Sequence, residues 1–144
     1  MELETLFSLC NAAVMPAWIL LVLAPGWRWT QRIVHAVWIP ILLGGVYAGL
    51  LFGATSDSPG GDFSTLAGVM RLFDSPAGAL AGWVHYLAFD LFVGAWEVRD
   101  ARQNQVSHLW VVPCLLLTLM LGPVGLLLYL VVRTARAGTT SLAD

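Results

Sequence analysis

The chain has 144 residues, of which 58% are hydrophobic and 11% charged, with a formal net charge of −2 and a mean hydropathy of +0.77. A soluble domain carries roughly a quarter charged residues, so the composition excludes a soluble monomer, a disordered chain and, with two cysteines, a disulfide scaffold. There is no lysine and the seven arginines are scattered, which leaves no basic patch for a nucleic acid; what remains is a small integral membrane protein whose first partner is lipid.

A helix needs about 20 mostly apolar residues to cross a hydrocarbon core of ~30 Å, and four runs meet that length. The first extends from about Thr5 to Leu23 without an ionisable group. Glu2 and Glu4 precede it and no arginine occurs before Arg28, a charge order opposite to that of a cleavable signal. The second runs from about Gln31 to Gly53, with His35 near its start. Its Gly45, Gly49 and Gly53 are spaced by four, so one face lacks side chains and invites a neighbouring helix of the same chain. Homodimerisation is the competing use of that face.

The connection from Ala54 to Ser75 begins as a polar turn, Thr55 to Asp62. Phe63, Leu66, Ala67, Met70 and Phe73 follow at helical spacing and predict a short interfacial helix, either a surface anchor or a lid. Ser75-Pro76 reads as a cap followed by proline at the first helical position, opening a third run to about Trp96 that carries Gly78 and Gly82. The fourth runs from Ser107, a second candidate cap, to about Val132. Pro16, Pro40, Pro113 and Pro123 lie within the runs and are expected to kink them. Arg133, Arg136 and the Gly/Thr/Ser residues after them read as a polar end. The expected fold is therefore all-α: an integral membrane four-helix bundle over residues 1–136, a short interfacial helix between helices two and three, and a flexible tail over 137–144.

Ionisable groups at bilayer depth are expensive unless paired, and so are functional candidates. His85 and Asp90 fall near the middle of the third run. At 100° per residue they are about 140° apart around the helix, so helix three must be covered on two sides. Trp83, Tyr86, Asp90, Gly94 and Glu97 share one stripe; His85, Phe89, Phe92 and Trp96 share another. Asn11 on helix one is the expected hydrogen-bond partner of Asp90 or His85. Two readings stand for the His85/Asp90 pair: a polar pin locking the bundle, or groups that act on a ligand. No HxxxH or ExxH pair at one-turn spacing exists to hold a metal, and Cys10 and Cys114 read as inert buried thiols. Neither a metal nor an organic cofactor is expected.

The string Gly82-Trp83-Val84-His85-Tyr86-Leu87-Ala88-Phe89-Asp90-Leu91-Phe92-Val93-Gly94 resembles the signature of the abscisic-acid-deficient-four-like membrane family. Asn11 with Pro16-Ala17-Trp18, Pro25-Gly26-Trp27, Pro113-Cys114 and Gly122-Pro123-Val124-Gly125-Leu126 carry the resemblance over nearly the whole chain. Plant members are chloroplast proteins required for neoxanthin formation. The resemblance implies a four-helix membrane protein, in a bacterial inner membrane or a plastid membrane, that binds or acts on a carotenoid, xanthophyll or related isoprenoid. In plants the reaction isomerises an epoxide to an allene. That step needs a proton donor at the epoxide oxygen and a base for a carbon-bound proton. Asp90 as acid and His85 as base fit these roles, with Asn11, Trp83, Tyr86 and Phe89 as the substrate-binding side chains. A membrane protein that holds pigment or lipid, or stabilises a partner, without turnover is the alternative.

Overall fold

Among the described residues three stretches are, by length and composition, long and apolar enough to cross a membrane: Leu3–Leu23, Arg28–Gly53 and Pro76–Gln103. The computed structural model describes residues 2–36, 38–57, 60–138 and 140–141. Among these every regular element is an α-helix: α1 (Leu3–Leu23), α2 (Arg28–Ile33), α3 (Trp38–Asp57), α4 (Leu66–Asp74), α5 (Pro76–Gln103), α6 (His108–Leu121) and α7 (Pro123–Ala137). Ser58 and Pro59 of the polar turn, Val37, and Thr139 and 142–144 of the tail lie outside the described residues.

The 21 residues of α1 reach about 31 Å at 1.5 Å per residue, which matches the hydrocarbon core. Large apolar side chains stand exposed along the long helices, among them Leu9, Ile19, Leu42 and Phe52. So many uncovered apolar groups would be intolerable in water and are ordinary against lipid. The helices divide into two units, residues 1–15 with 37–89, and residues 16–36 with 90–144; α1 and α5 contribute to both.

In the first unit α5 buries Leu80, Ala81, Val84 and Leu87 along one helical stripe, and α3 buries Leu43 and Leu50. The expected glycine face of α3 is not a packing face. A Cβ placed on Gly45, Gly49 or Gly53 meets nothing within 4 Å. The close approach occurs on α5 instead, where a Cβ on Gly78 would strike the Leu72 carbonyl and one on Gly82 would strike the Phe73 ring, both from α4. Spacing alone cannot tell a bare face that meets protein from one that meets lipid. The short helix expected between the second and third runs is present as α4. Thr65 caps it by accepting from the Gly68 N–H at 3.0 Å, and Asp62 accepts from the N–H groups of Ser64 and Thr65 at 2.7 and 3.0 Å. Leu66, Met70 and Phe73 lie exposed along it, as on a helix resting against lipid. Ser75 accepts from the Gly78 N–H at 3.1 Å and opens α5 as expected.

In the second unit three boundaries differ from the sequence reading. First, α5 does not end at Trp96 but continues through Glu97 and Asp100 to Gln103, because those acids are buried and bonded rather than solvated. Second, the fourth apolar run is not one helix. Gly122 adopts φ +47, a conformation open to a residue without Cβ, and Pro123 supplies the preset first residue of a new helix. Here α6 and α7 fold back on each other as an antiparallel pair; Gly125 lies against the Thr118 backbone, and the Arg136 guanidinium stacks 4.1 Å from the Trp110 ring centre. Third, Arg133 is not part of a frayed end: it is 4% exposed, inside α7. Of the expected kinks, Pro16 and Pro113 are inside helices, whereas Pro40 falls in the first turn of α3 and Pro123 at the start of α7. Ser107 stands at the N-cap of α6 without a side-chain cap bond.

Candidate functional site

From Trp83 onward each turn of α5 presents a polar or aromatic side chain, and the two units use them differently. In the first unit Trp83 and Tyr86, three residues apart, are near neighbours on the helix surface, and their rings are 5.4 Å apart. The Trp83 indole N–H donates to Asn11 Oδ1 at 3.2 Å, and the Asn11 amide donates to the Phe7 carbonyl at 2.7 Å. Asn11 is thus a partner of Trp83; the expected bond from Asn11 to His85 or Asp90 gives way to this one. An indole can only donate, so it takes the amide oxygen, while the amide N–H that a carboxylate would accept from goes to the Phe7 carbonyl.

Four residues apart on another side of α5 are His85 and Phe89, with stacked rings 4.5 Å between centres. Tyr47 of α3 faces the imidazole at 5.5 Å. His85 is exposed. It lines an open cleft of about 230 Å³ whose other walls include Tyr47, Leu51, Phe63, Phe73 and Gly82. The cleft is apolar and aromatic, with one imidazole in its wall. The Phe73 ring sits where a side chain on Gly82 would be. Such a surface can stack against flat, unsaturated hydrocarbon, and the imidazole nitrogens and the Tyr47 hydroxyl are proton acceptors or donors in its wall.

In the second unit Asp90, Glu97 and Asp100 follow one another along a single face of α5, at 9%, 0% and 5% exposure. Asp90 lies at the bend between α6 and α7, where a Cβ on Gly122 would come within 2.8 Å of its Oδ1. Glu97 Oε1 accepts from the Thr118 hydroxyl at 2.9 Å, while its Oε2 has no hydrogen-bond partner among the described residues. Asp100 Oδ2 accepts from the Tyr129 hydroxyl at 2.5 Å and from Arg133 Nε at 2.6 Å. The Tyr129 ring meets Trp96 edge-on at 5.5 Å. Asp100, Tyr129 and Arg133 were not singled out from the sequence. The available signal was the spacing of 90, 97 and 100, which continues one polar stripe beyond the point where the helix seemed to end.

His85 and Asp90 therefore fall in different units, each with its own surroundings. Among the described residues no three His, Cys, Asp or Glu side chains are grouped so as to hold a metal ion.

Residues 5–129 match the family described as ABA DEFICIENT 4-like. The chain is 28% identical over 137 residues to "Protein ABA DEFICIENT 4, chloroplastic" of Arabidopsis thaliana, an alignment covering 90% of this chain and 61% of the relative. The chain thus spans about three-fifths of that relative's length. No solved structure matches.

Proposed function

This chain belongs to the ABA DEFICIENT 4-like family, and from that premise we propose that it is a membrane protein that binds a carotenoid or xanthophyll in the cleft beside His85 and acts on it by proton transfer. Membership relates the chain to neoxanthin synthesis. The observation that carries the reading is the exposed imidazole set among Tyr47, Phe89, Phe63 and Phe73. A lipophilic polyene end group could reach that cleft directly from the bilayer, and stacking on aromatic faces needs no hydrogen-bonding ligand. For an epoxide-to-allene isomerisation the base removes a carbon-bound proton as the C–O bond breaks, and an acid returns a proton to the oxygen, so no redox partner is consumed. His85 is the proposed base. The donor role of Asp90 is a separate proposal with its own test.

One observation favours a second reading, binding without turnover. Glu97 and Asp100 are tied to Thr118, Tyr129 and Arg133, so the acids of α5 include structural ties. Mild detergent extraction followed by pigment analysis of the bound material, on the parent, His85→Ala and Asp90→Asn proteins, separates the readings. The catalytic reading expects the parent to convert added epoxy-xanthophyll, His85→Ala to lose conversion, and Asp90→Asn to retain pigment but lose conversion, since an amide cannot deliver the proton. Pigment retained by all three with no conversion by any leaves the binding reading. A parent that neither holds nor converts a carotenoid refutes both.

A further inference from the structure

We infer that α6 and α7 form a re-entrant hairpin, which enters and leaves the membrane by one face, in place of a fourth crossing helix. The inference rests on the membrane location proposed for the chain. Length is its first support. The 14 residues of α6 and the 15 of α7 reach about 21 and 22 Å, each short of a ~30 Å core. The four residues between α5 and α6 (104–107) then start α6 at the end of α5.

The second support is where the far end of α7 returns. Arg136, one residue from the end of α7, lies over Trp110, two residues into α6. Arg133 bonds Asp100, three residues from the end of α5. His108, the first residue of α6, meets the carbonyl of Val22 near the end of α1 at 2.9 Å. The ends of α1, α5 and α7 and the beginning of α6 are therefore together, and the bend at Gly122 points away from them, onto Asp90 near the middle of α5.

The third support is chemical. Irregular backbone at membrane depth is tolerated where protein covers it, and Gly122 is buried. Two side-chain ties hold the hairpin's legs to α5: Thr118 to Glu97 from α6, and Tyr129 with Arg133 to Asp100 from α7. An arginine whose partner is an aspartate inside the same protein unit gives no reason for α7 to run on to another face. With a hairpin, an odd number of crossing stretches replaces the even number expected from composition.

The test is accessibility of the hairpin's two ends. Ser107 and Thr140 are exposed. Each is changed to cysteine, one at a time, in a full-length chain carrying Cys10→Ala and Cys114→Ala. Sealed vesicles of the two opposite orientations are treated with a membrane-impermeant maleimide. The hairpin expects Ser107→Cys and Thr140→Cys to label in the same vesicle preparation. Labelling in opposite preparations makes the segment a crossing helix and overturns the inference. Labelling of neither, when detergent exposes both, places the ends inside the membrane and overturns it as well. Release of the parent chain into the soluble fraction at alkaline pH overturns the membrane reading itself, a result distinct from the other two. Should either cysteine variant fail to accumulate, Gln103→Cys and an epitope appended after the last residue report on the same two positions.

Discussion

Gly125→Ala against Gly49→Ala is the sharpest test of where this chain packs. Both glycines are helical, and only Gly49 belongs to a small-residue pattern visible in the sequence. At Gly125 the added methyl would land on the backbone nitrogen and hydroxyl of Thr118, in the facing leg of the hairpin. Backbone cannot swing aside as a long side chain can, so the two legs must part. Overpacking of this kind costs about 1–3 kcal/mol. Displacing Thr118 also removes the hydroxyl that donates to Glu97, a fully buried carboxyl whose other oxygen has no hydrogen-bond partner among the described residues, which adds about 1–3 kcal/mol. A total near 4 kcal/mol lowers the melting temperature by roughly 10 °C, on the scaling of about 2–4 °C per kcal/mol for domains of this size. At Gly49 the methyl meets nothing within 4 Å, and alanine gains about 0.5–1 kcal/mol of helix propensity. Its melting temperature should hold or rise slightly. Both are measured in detergent by heating followed by size-exclusion chromatography. A Gly125→Ala protein that melts with the parent, or a Gly49→Ala protein that falls as far as Gly125→Ala, refutes the packing described for α3 and the hairpin.

Arg133→Met leaves Asp100 buried beside Tyr129 without its cation and should cost about 3–5 kcal/mol. Adding Asp100→Asn removes the stranded charge but keeps an acceptor for Tyr129. The double variant should therefore recover more than half of the loss in the same melting assay, and equal instability of single and double variants contradicts the pairing. Asp62 is held below the usual carboxylate range by the backbone N–H groups of Ser64 and Thr65. Because the folded value is the lower one, its contribution to the start of α4 is present above the unfolded value of ~4 and is lost as pH falls through the lowered value. Protection of the Ser64 and Thr65 amides, measured relative to the intrinsic base-catalysed exchange rate at each pH, should accordingly be present at neutral pH and be lost only in acid. Asp62→Ala should abolish that pH step, and a step that persists in the variant assigns it to another group.

The membrane reading was legible in composition alone. Few charges, four long apolar runs and the absence of lysine favour lipid as the surroundings of most of the chain, because a core of 144 residues covers little of that much apolar surface. The family, too, was legible in one string on the third run, since the side chains from Gly82 to Gly94 carry it whatever they touch. So were α4, whose five apolar positions repeat at helical spacing, and the Ser75 cap, which depends on neighbours a few residues away. Only the tertiary structure decided which bare faces meet protein: Gly45, Gly49 and Gly53 look the same in sequence as Gly78 and Gly82, and the difference is the presence of Leu72 and Phe73. The fourth run was ambiguous for a related reason. Lipid accepts a straight apolar helix and a hairpin of the same composition equally, and the choice rests on Gly122 at a positive φ and on what α5 offers the returning leg. That offer is Asp100 and Glu97. Their charges read as a helix end until Arg133, Tyr129 and Thr118, distant in sequence, arrive to bond them. Burial of a charge depends on a partner, and partners that far along the chain are set by the fold.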